Sequence, residues 1–278
     1  MDITFPGVPL TGAESGIEHF TTPDERNLRF GMTIQSLQAP YLALDVTLPS
    51  AVPKQLADRI AVSRRLGIQA YFCYEFHAVS MFWSITSIEM ALKLKFQECN
   101  PGPFELAKGT RVCSVEAHNL ERHLKRQWRI QGLPTFDGSF KSILKWAFDS
   151  GHLPDDLPIP LQEVRGQFDQ FFLFEVLHGE GEKDGRLPAN PTLEEITGYW
   201  ESLSETERKR ECFGRQPSSV LANGLPRLRN NLAHPRLANI IVTPRSAVTA
   251  YSLLVDIARR LWPASSQDSI EDSRQIHP

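Results

Sequence analysis

One short stretch gathers the residue types that handle phosphate: Arg227-Leu228-Arg229-Asn230-Asn231-Leu232-Ala233-His234-Pro235-Arg236. An imidazole titrates near neutrality and can take or give a proton. A guanidinium offers a planar fork that matches phosphate oxygens. The segment is also one-sidedly basic. From Cys212 to Val255 there are Arg215, Arg227, Arg229, Arg236 and Arg245, with no lysine and no acid, in a chain whose net charge is −3. A local cationic field beside a titratable imidazole suits a phosphate-bearing ligand.

On a helical wheel His234 lies about 200° from Leu232 and points away from the stripe Leu221, Leu225, Leu228 and Leu232. Asn230, four residues earlier, shares that outer face. Arg229 is about 140° from His234, so the two are not stacked neighbours on one helix. Pro235 disfavours helical geometry at His234 and ends the helix there. An unwound last turn, or a second subunit, would bring both side chains to one phosphate. A structural reading stands beside this one, with Arg229 paired to an acid and His234 at a helix C-terminus that favours cations.

Glu89 bears on both readings. It sits four residues after Ile85 and three before Leu92, inside an apolar stripe. A carboxylate there must be paired, because burying it alone is costly. The arginine-rich segment offers partners, so a structural Glu89–Arg bridge weighs as much as a catalytic carboxylate. The structural reading expects Arg229→Ala to lower the melting temperature; the chemical reading expects little change.

Other constellations carry less. Cys113, His118 and His123 have five-residue spacings that match no zinc pattern. His77 and Cys73 fit core or rim positions. Lys93, Lys95, Lys108 and Arg111 read as a solvated basic face. There is no Gly-rich phosphate loop, no H-E-x-x-H and no G-x-S-x-G, so neither cofactor nor metal is expected.

The elements that must hold these residues are mostly helices. Leu28, Phe30, Met32 and Ile34 alternate with polar residues, as do Leu42, Leu44, Val46 and Leu48, which predicts a β-hairpin around Gln38-Ala39-Pro40. A helix capped by Ser50 is predicted to run to Leu66 and stop at Gly67. A long helix follows, about Ala70 to Glu98, with the stripe Ala78, Phe82, Ile85, Ile88, Leu92 and Phe96. Further helices are predicted at Arg111 to Gln131 (burying Cys113, Ala117, Leu120, Leu124 and Trp128), Ser139 to Ser150 and Leu161 to Leu177. His178 to Asn190 reads as a mobile loop, and Thr192-Leu193-Glu194-Glu195 as a capping box. The motif helix, with Gly224 and Pro226 as a kink or fresh start, and a last helix from about Ser246 to Trp262 complete the set. The expected organisation is a β-hairpin extension over 1–50, a helical bundle over 51–264 and a disordered tail over 265–278.

With 278 residues, 41% hydrophobic and 23% charged, the chain can bury a sizeable core and has the composition of an ordinary soluble protein. No signal peptide is visible at Met1-Asp2-Ile3-Thr4-Phe5-Pro6. The best apolar run, Tyr71 to Ile88, carries Glu75 and His77 and is no membrane span. Cys73, Cys99, Cys113 and Cys212 are scattered, as in a cytoplasmic protein with reduced thiols. The negative balance argues against nucleic-acid binding over the whole surface. Any such binding has to be local.

The motif Arg229-Asn230-x-x-x-His234 resembles the Arg-x(4–6)-His motif of HEPN domains, including the polar residue after the arginine. The context is similar too: an earlier long helix with an acid in Ser87-Ile88-Glu89-Met90-Ala91-Leu92, and one more helix after the motif. The likeness covers roughly Ala70 to Trp262. It implies a HEPN-like helical bundle that dimerises so that two motifs face each other, often a metal-independent ribonuclease of toxin–antitoxin or anti-phage systems. Under that resemblance His234 is the acid or base, Arg229 stabilises the phosphate, and Asn230 positions either. Glu89 is a further catalytic candidate, and Arg227, Asn231 and Arg236 are RNA-binding candidates. The implied partners are an RNA substrate, a second copy and an antitoxin or defence-system protein. A non-catalytic module binding nucleotide, RNA or protein is the alternative.

Overall fold

A computed structural model describes residues 22–29, 31–43, 48–133, 135–154, 157, 164–166, 181–182, 185–189, 191–204, 207, 217–234 and 242–264. The chain is mainly helical, with one small antiparallel sheet.

The expected N-terminal hairpin is not there. Its place is taken by two helices, α1 (Glu25–Arg29) and α2 (Ile34–Ala43), with Pro40 inside the second. Helical spacing puts Leu37 and Tyr41 on one buried face, whereas Leu28 and Leu42 of the supposed alternation are about half exposed. A lone hairpin is marginal in water, and a helix that buries a tyrosine against neighbouring helices is the better solution. Tyr41 meets Tyr251 with ring centroids 5.3 Å apart, so residues 34–43 belong to the main core. Leu44 and Val46 of the second predicted strand lie outside the described residues.

The helix α3 (Lys54–Gln69) starts after Pro53, with no side-chain cap from Ser50, and continues through Gly67. Gly67 is no stop signal. A methyl group there would collide with the Tyr41 phenol, so glycine is needed for close approach. Next comes α4 (Glu75–Cys99), 25 residues long. Serines line the α3–α4 seam: Ser63 Oγ and Ser84 Oγ are 2.5 Å apart, and Ser80 Oγ donates to the Ser63 carbonyl at 3.0 Å. The buried hydroxyls are thereby satisfied. Ile85, Ile88, Leu92 and Phe96 of the expected stripe are buried, while Ala78 and Phe82 are only partly so.

The long helix predicted from Arg111 is corrected as well. Strands β1 (Phe104–Lys108) and β2 (Arg111–Val115) pair antiparallel, Phe104 opposite Val115 and Lys108 opposite Arg111. Gly109, at φ 59°, supplies the left-handed residue of the two-residue turn. Only α5 (Ala117–Leu124) is helical, burying Leu120 and Leu124. The strand β3 (Arg129–Ile130) then pairs with the other edge of β1. Cys113 on β2, Ala117 on α5 and Trp128 in the connection before β3 pack at the margin of the core.

The helix α6 (Phe140–Asp149) has Ser139 as its cap, accepting from the Ser142 amide at 3.2 Å. The expected capping box opens α7 (Leu193–Ser202), whose Ile196 and Tyr199 form a small separate cluster with Leu187 and Leu203. The motif helix is α8 (Pro217–Ala233), and the last is α9 (Pro244–Leu261), capped by Thr243. At the centre α4 packs against α3 and α9 and, further along, α6 and α8. Most of the predicted helix Leu161 to Leu177, part of the loop after it and the tail lie outside the described residues.

A polar anchor ties the N-terminal helices to α4. Asn27, fully buried, donates to the Ala70 and Tyr71 carbonyls at 2.7 and 3.1 Å, and its amide oxygen lies 3.4 Å from His77 Nε2. Burial pushes the His77 imidazole down to about 4, with Asp24 raising it and Arg26 lowering it by smaller amounts. The ring is therefore neutral when folded and charges more easily when unfolded. Its contribution is fully present above the ordinary value near 6.5 and is lost as pH falls from about 6.5 to about 4, by roughly 3 kcal/mol. Urea midpoints measured across that window should fall steeply for the wild-type chain and much less for His77→Gln. Equal slopes would refute the assignment.

Candidate functional site

The leucine stripe positions the motif. Leu221, Leu225 and Leu228 of α8 are fully buried and Leu232 partly so. Gly224 lies against the Val164 backbone too closely for any side chain, and the helix continues through Pro226 without restarting. With the leucines inward, Arg229 falls on the flank that faces α4.

There it meets Glu89. The Arg229 Nη1–H donates to Glu89 Oε2 in a short ion pair, and the other carboxylate oxygen takes Lys93 Nζ at 3.0 Å. The opposite edge of the guanidinium, Nε and Nη2, donates to Asn230 Oδ1 at 3.1 and 2.8 Å. The Phe140 ring lies below, 5.8 Å from the guanidinium carbon. The Glu89 side chain is 15% exposed and that of Arg229 28%. One carboxylate thus serves two cations, leaving the cluster net positive. Among the described residues three of the five guanidinium N–H groups are engaged, and two are left.

His234 stands just past the helix end. Its backbone N–H still donates to the Asn230 carbonyl at 2.9 Å, while the exposed imidazole has no hydrogen-bond or ionic partner among the described residues. Asn230 and His234 share the outer face, as the wheel requires. Arg229 and His234 are not joined within one chain. Arg227 and Asn231 are half-buried and engaged in contacts of their own. Pro235 and Arg236 lie outside the described residues.

The remaining candidates separate. His123 Nδ1 lies 3.0 Å from the Asn119 carbonyl, and its ring packs edge-on to Trp128. His77 is core, and Cys73 Sγ contacts Glu75 at 3.5 Å. Lys95 pairs with Glu98, Lys108 Nζ donates to the Arg126 carbonyl, and Arg111 is exposed on the sheet. Lys93, expected on a solvated face, is a member of the Glu89 cluster, and its spacing of four from Glu89 on one helix is the signal of that pairing.

Among the described residues no helix is long and apolar enough to cross a membrane. Compared with protein-family models, curated proteins and solved structures, the chain has no match.

Proposed function

We propose that this chain is a metal-independent endoribonuclease of the HEPN type, working as a homodimer. The observation that carries the reading is the hold on Arg229. Glu89 on one side and Asn230 on the other orient a guanidinium at the surface, about one helical turn before an exposed imidazole that no described residue engages. RNA supplies its own nucleophile in the 2′-hydroxyl. His234 takes that proton or protonates the leaving 5′-oxygen, and the two remaining N–H groups of Arg229 meet the charge that gathers on the phosphate. A second copy brings His234 of one chain to Arg229 of the other. An enzyme of this kind requires restraint, so an antitoxin or defence-system partner belongs to the same proposal.

The second reading is a non-catalytic module that binds RNA, nucleotide or protein. It is favoured by the same bridge, because an arginine held by Glu89 also fits a purely binding surface. Purified chain incubated with single-stranded RNA in EDTA separates the two. Cleavage to 2′,3′-cyclic phosphate and 5′-hydroxyl ends is expected. Binding without turnover would establish the module instead, and cleavage that stops on chelation would overturn both the chemistry and the assignment.

A further inference from the structure

Arg59 on α3 is a half-buried cation with no carboxylate partner among the described residues. Its Nε–H donates to Ser87 Oγ at 2.9 Å and its Nη2–H to Thr86 Oγ1 at 3.1 Å. The guanidinium carbon sits 4.1 Å from the centre of the Trp83 ring, and Trp83 Nε1–H donates to the Arg59 carbonyl at 3.2 Å. Both hydroxyls are themselves fixed on the Trp83 carbonyl, Thr86 at 3.0 Å and Ser87 at 2.6 Å. Among the described residues the guanidinium is thus held in place by neutral groups alone. Its burial lowers its basicity with nothing opposing. A desolvated charge of this kind needs an anion.

The position of Arg59 says which anion. Viewed down α4, Glu89 faces α8, and Ser80 and Ser87 face α3. They stand about 160–180° apart at 100° per residue. Between them lies an outward strip of Val79, Phe82, Trp83, Thr86, Met90 and Lys93, none of which is buried. The strip carries two aromatic rings and no acid. Arg59 marks its α3 edge, and the Arg229–Glu89–Lys93 cluster its α8 edge. Cations on both rims of an apolar, aromatic floor suit single-stranded nucleic acid, whose bases stack while its phosphates find the charges.

We propose that α4 between α3 and α8 is the track for a single-stranded RNA, with a backbone phosphate on Arg59 and a base stacked on Phe82. This rests on the reading of Arg229 as an RNA-cleaving site, to which it adds the substrate class and the path. The track discriminates against duplex, in which the bases are already stacked on each other and cannot reach a ring.

The test uses the full chain and a fluorescent, non-cleavable 2′-O-methyl oligoribonucleotide, read by anisotropy over a salt series. Arg59→Gln should weaken binding about tenfold and make the slope of log affinity against log salt shallower by about 0.7, one phosphate contact on a single strand. Phe82→Leu should weaken binding at least fivefold with the slope unchanged. Should Arg59→Gln fail to fold, Phe82→Leu decides. Unchanged binding in the folded variants would overturn the track. So would duplex that binds as tightly, or variants that become monomeric in sedimentation, since the strip would then be a contact between copies. If both variants lose binding while wild-type chain cuts no RNA, the track stands and the nuclease reading falls. If the chain cuts RNA and neither variant affects binding, only the track falls.

Discussion

Alanine in place of His234 is expected to lower RNA cleavage about a thousandfold, in the middle of the range for loss of a positioned general acid or base. The thermal midpoint should stay within about 1 °C, because exposed side chains away from packed features contribute little to stability. His234 is exposed, and no contact among the described residues depends on its imidazole. The loss should appear in kcat with KM nearly unchanged, as befits an interaction made in the transition state. A stronger form of the test follows from the separation of Arg229 and His234 within one chain. If each site takes Arg229 from one copy and His234 from the other, two inactive variants should rescue each other. Mixing His234→Ala with Arg229→Lys gives half heterodimers, each with one intact site of two, and so about a quarter of wild-type activity. Full activity in His234→Ala would sink the mechanism. Loss of activity without rescue would confine the chemistry to a single chain.

What was legible beforehand divides by physical cause. The stripe Leu221, Leu225, Leu228 followed helical periodicity into the core, and Glu89 betrayed its partner because a carboxylate among apolar neighbours must find one. The capping box at Thr192 is a local signal and holds locally. The N-terminal segment departs from its expected hairpin because an alternation of four residues is too short to exclude a helix. What decides it is tertiary: Leu37 and Tyr41 are both buried, and Tyr41 fills a space beside α3 that Gly67 keeps open. The converse holds at Arg111, where Leu120 and Leu124 of a real helix lend their period to a preceding strand, and the Lys108-Gly109-Thr110-Arg111 turn is the sign that separates the two. Arg59 could not have been found at all. Its meaning depends on the absence of an acid around it among the described residues, and only the packed structure reports that.

The bridge changes what a mutation at Arg229 can show. A nuclease with a free arginine would lose activity on Arg229→Ala and keep its stability, but Arg229 is half-buried and paired, so this variant should now cost both. Removing Arg229 leaves Glu89 with Lys93, and about 1–2 kcal/mol is expected. Removing Glu89 leaves two cations beside each other on an apolar flank, and Glu89→Ala should cost more, about 2–3 kcal/mol. The two pair members are mostly shielded from solvent, which is why these values exceed those of surface pairs. Urea unfolding of the two single variants and the double should give a coupling of about 1 kcal/mol or more, and strict additivity would refute the bridge. Arg229→Lys then separates structure from chemistry. It keeps the charge on Glu89, so the unfolding midpoint should lie near wild type. It loses the fork that spans Glu89, Asn230 and a phosphate, and cleavage should fall at least a hundredfold. A lysine variant that cuts RNA at the wild-type rate would leave Arg229 with a structural role only, since Arg229→Ala would then act through folding alone.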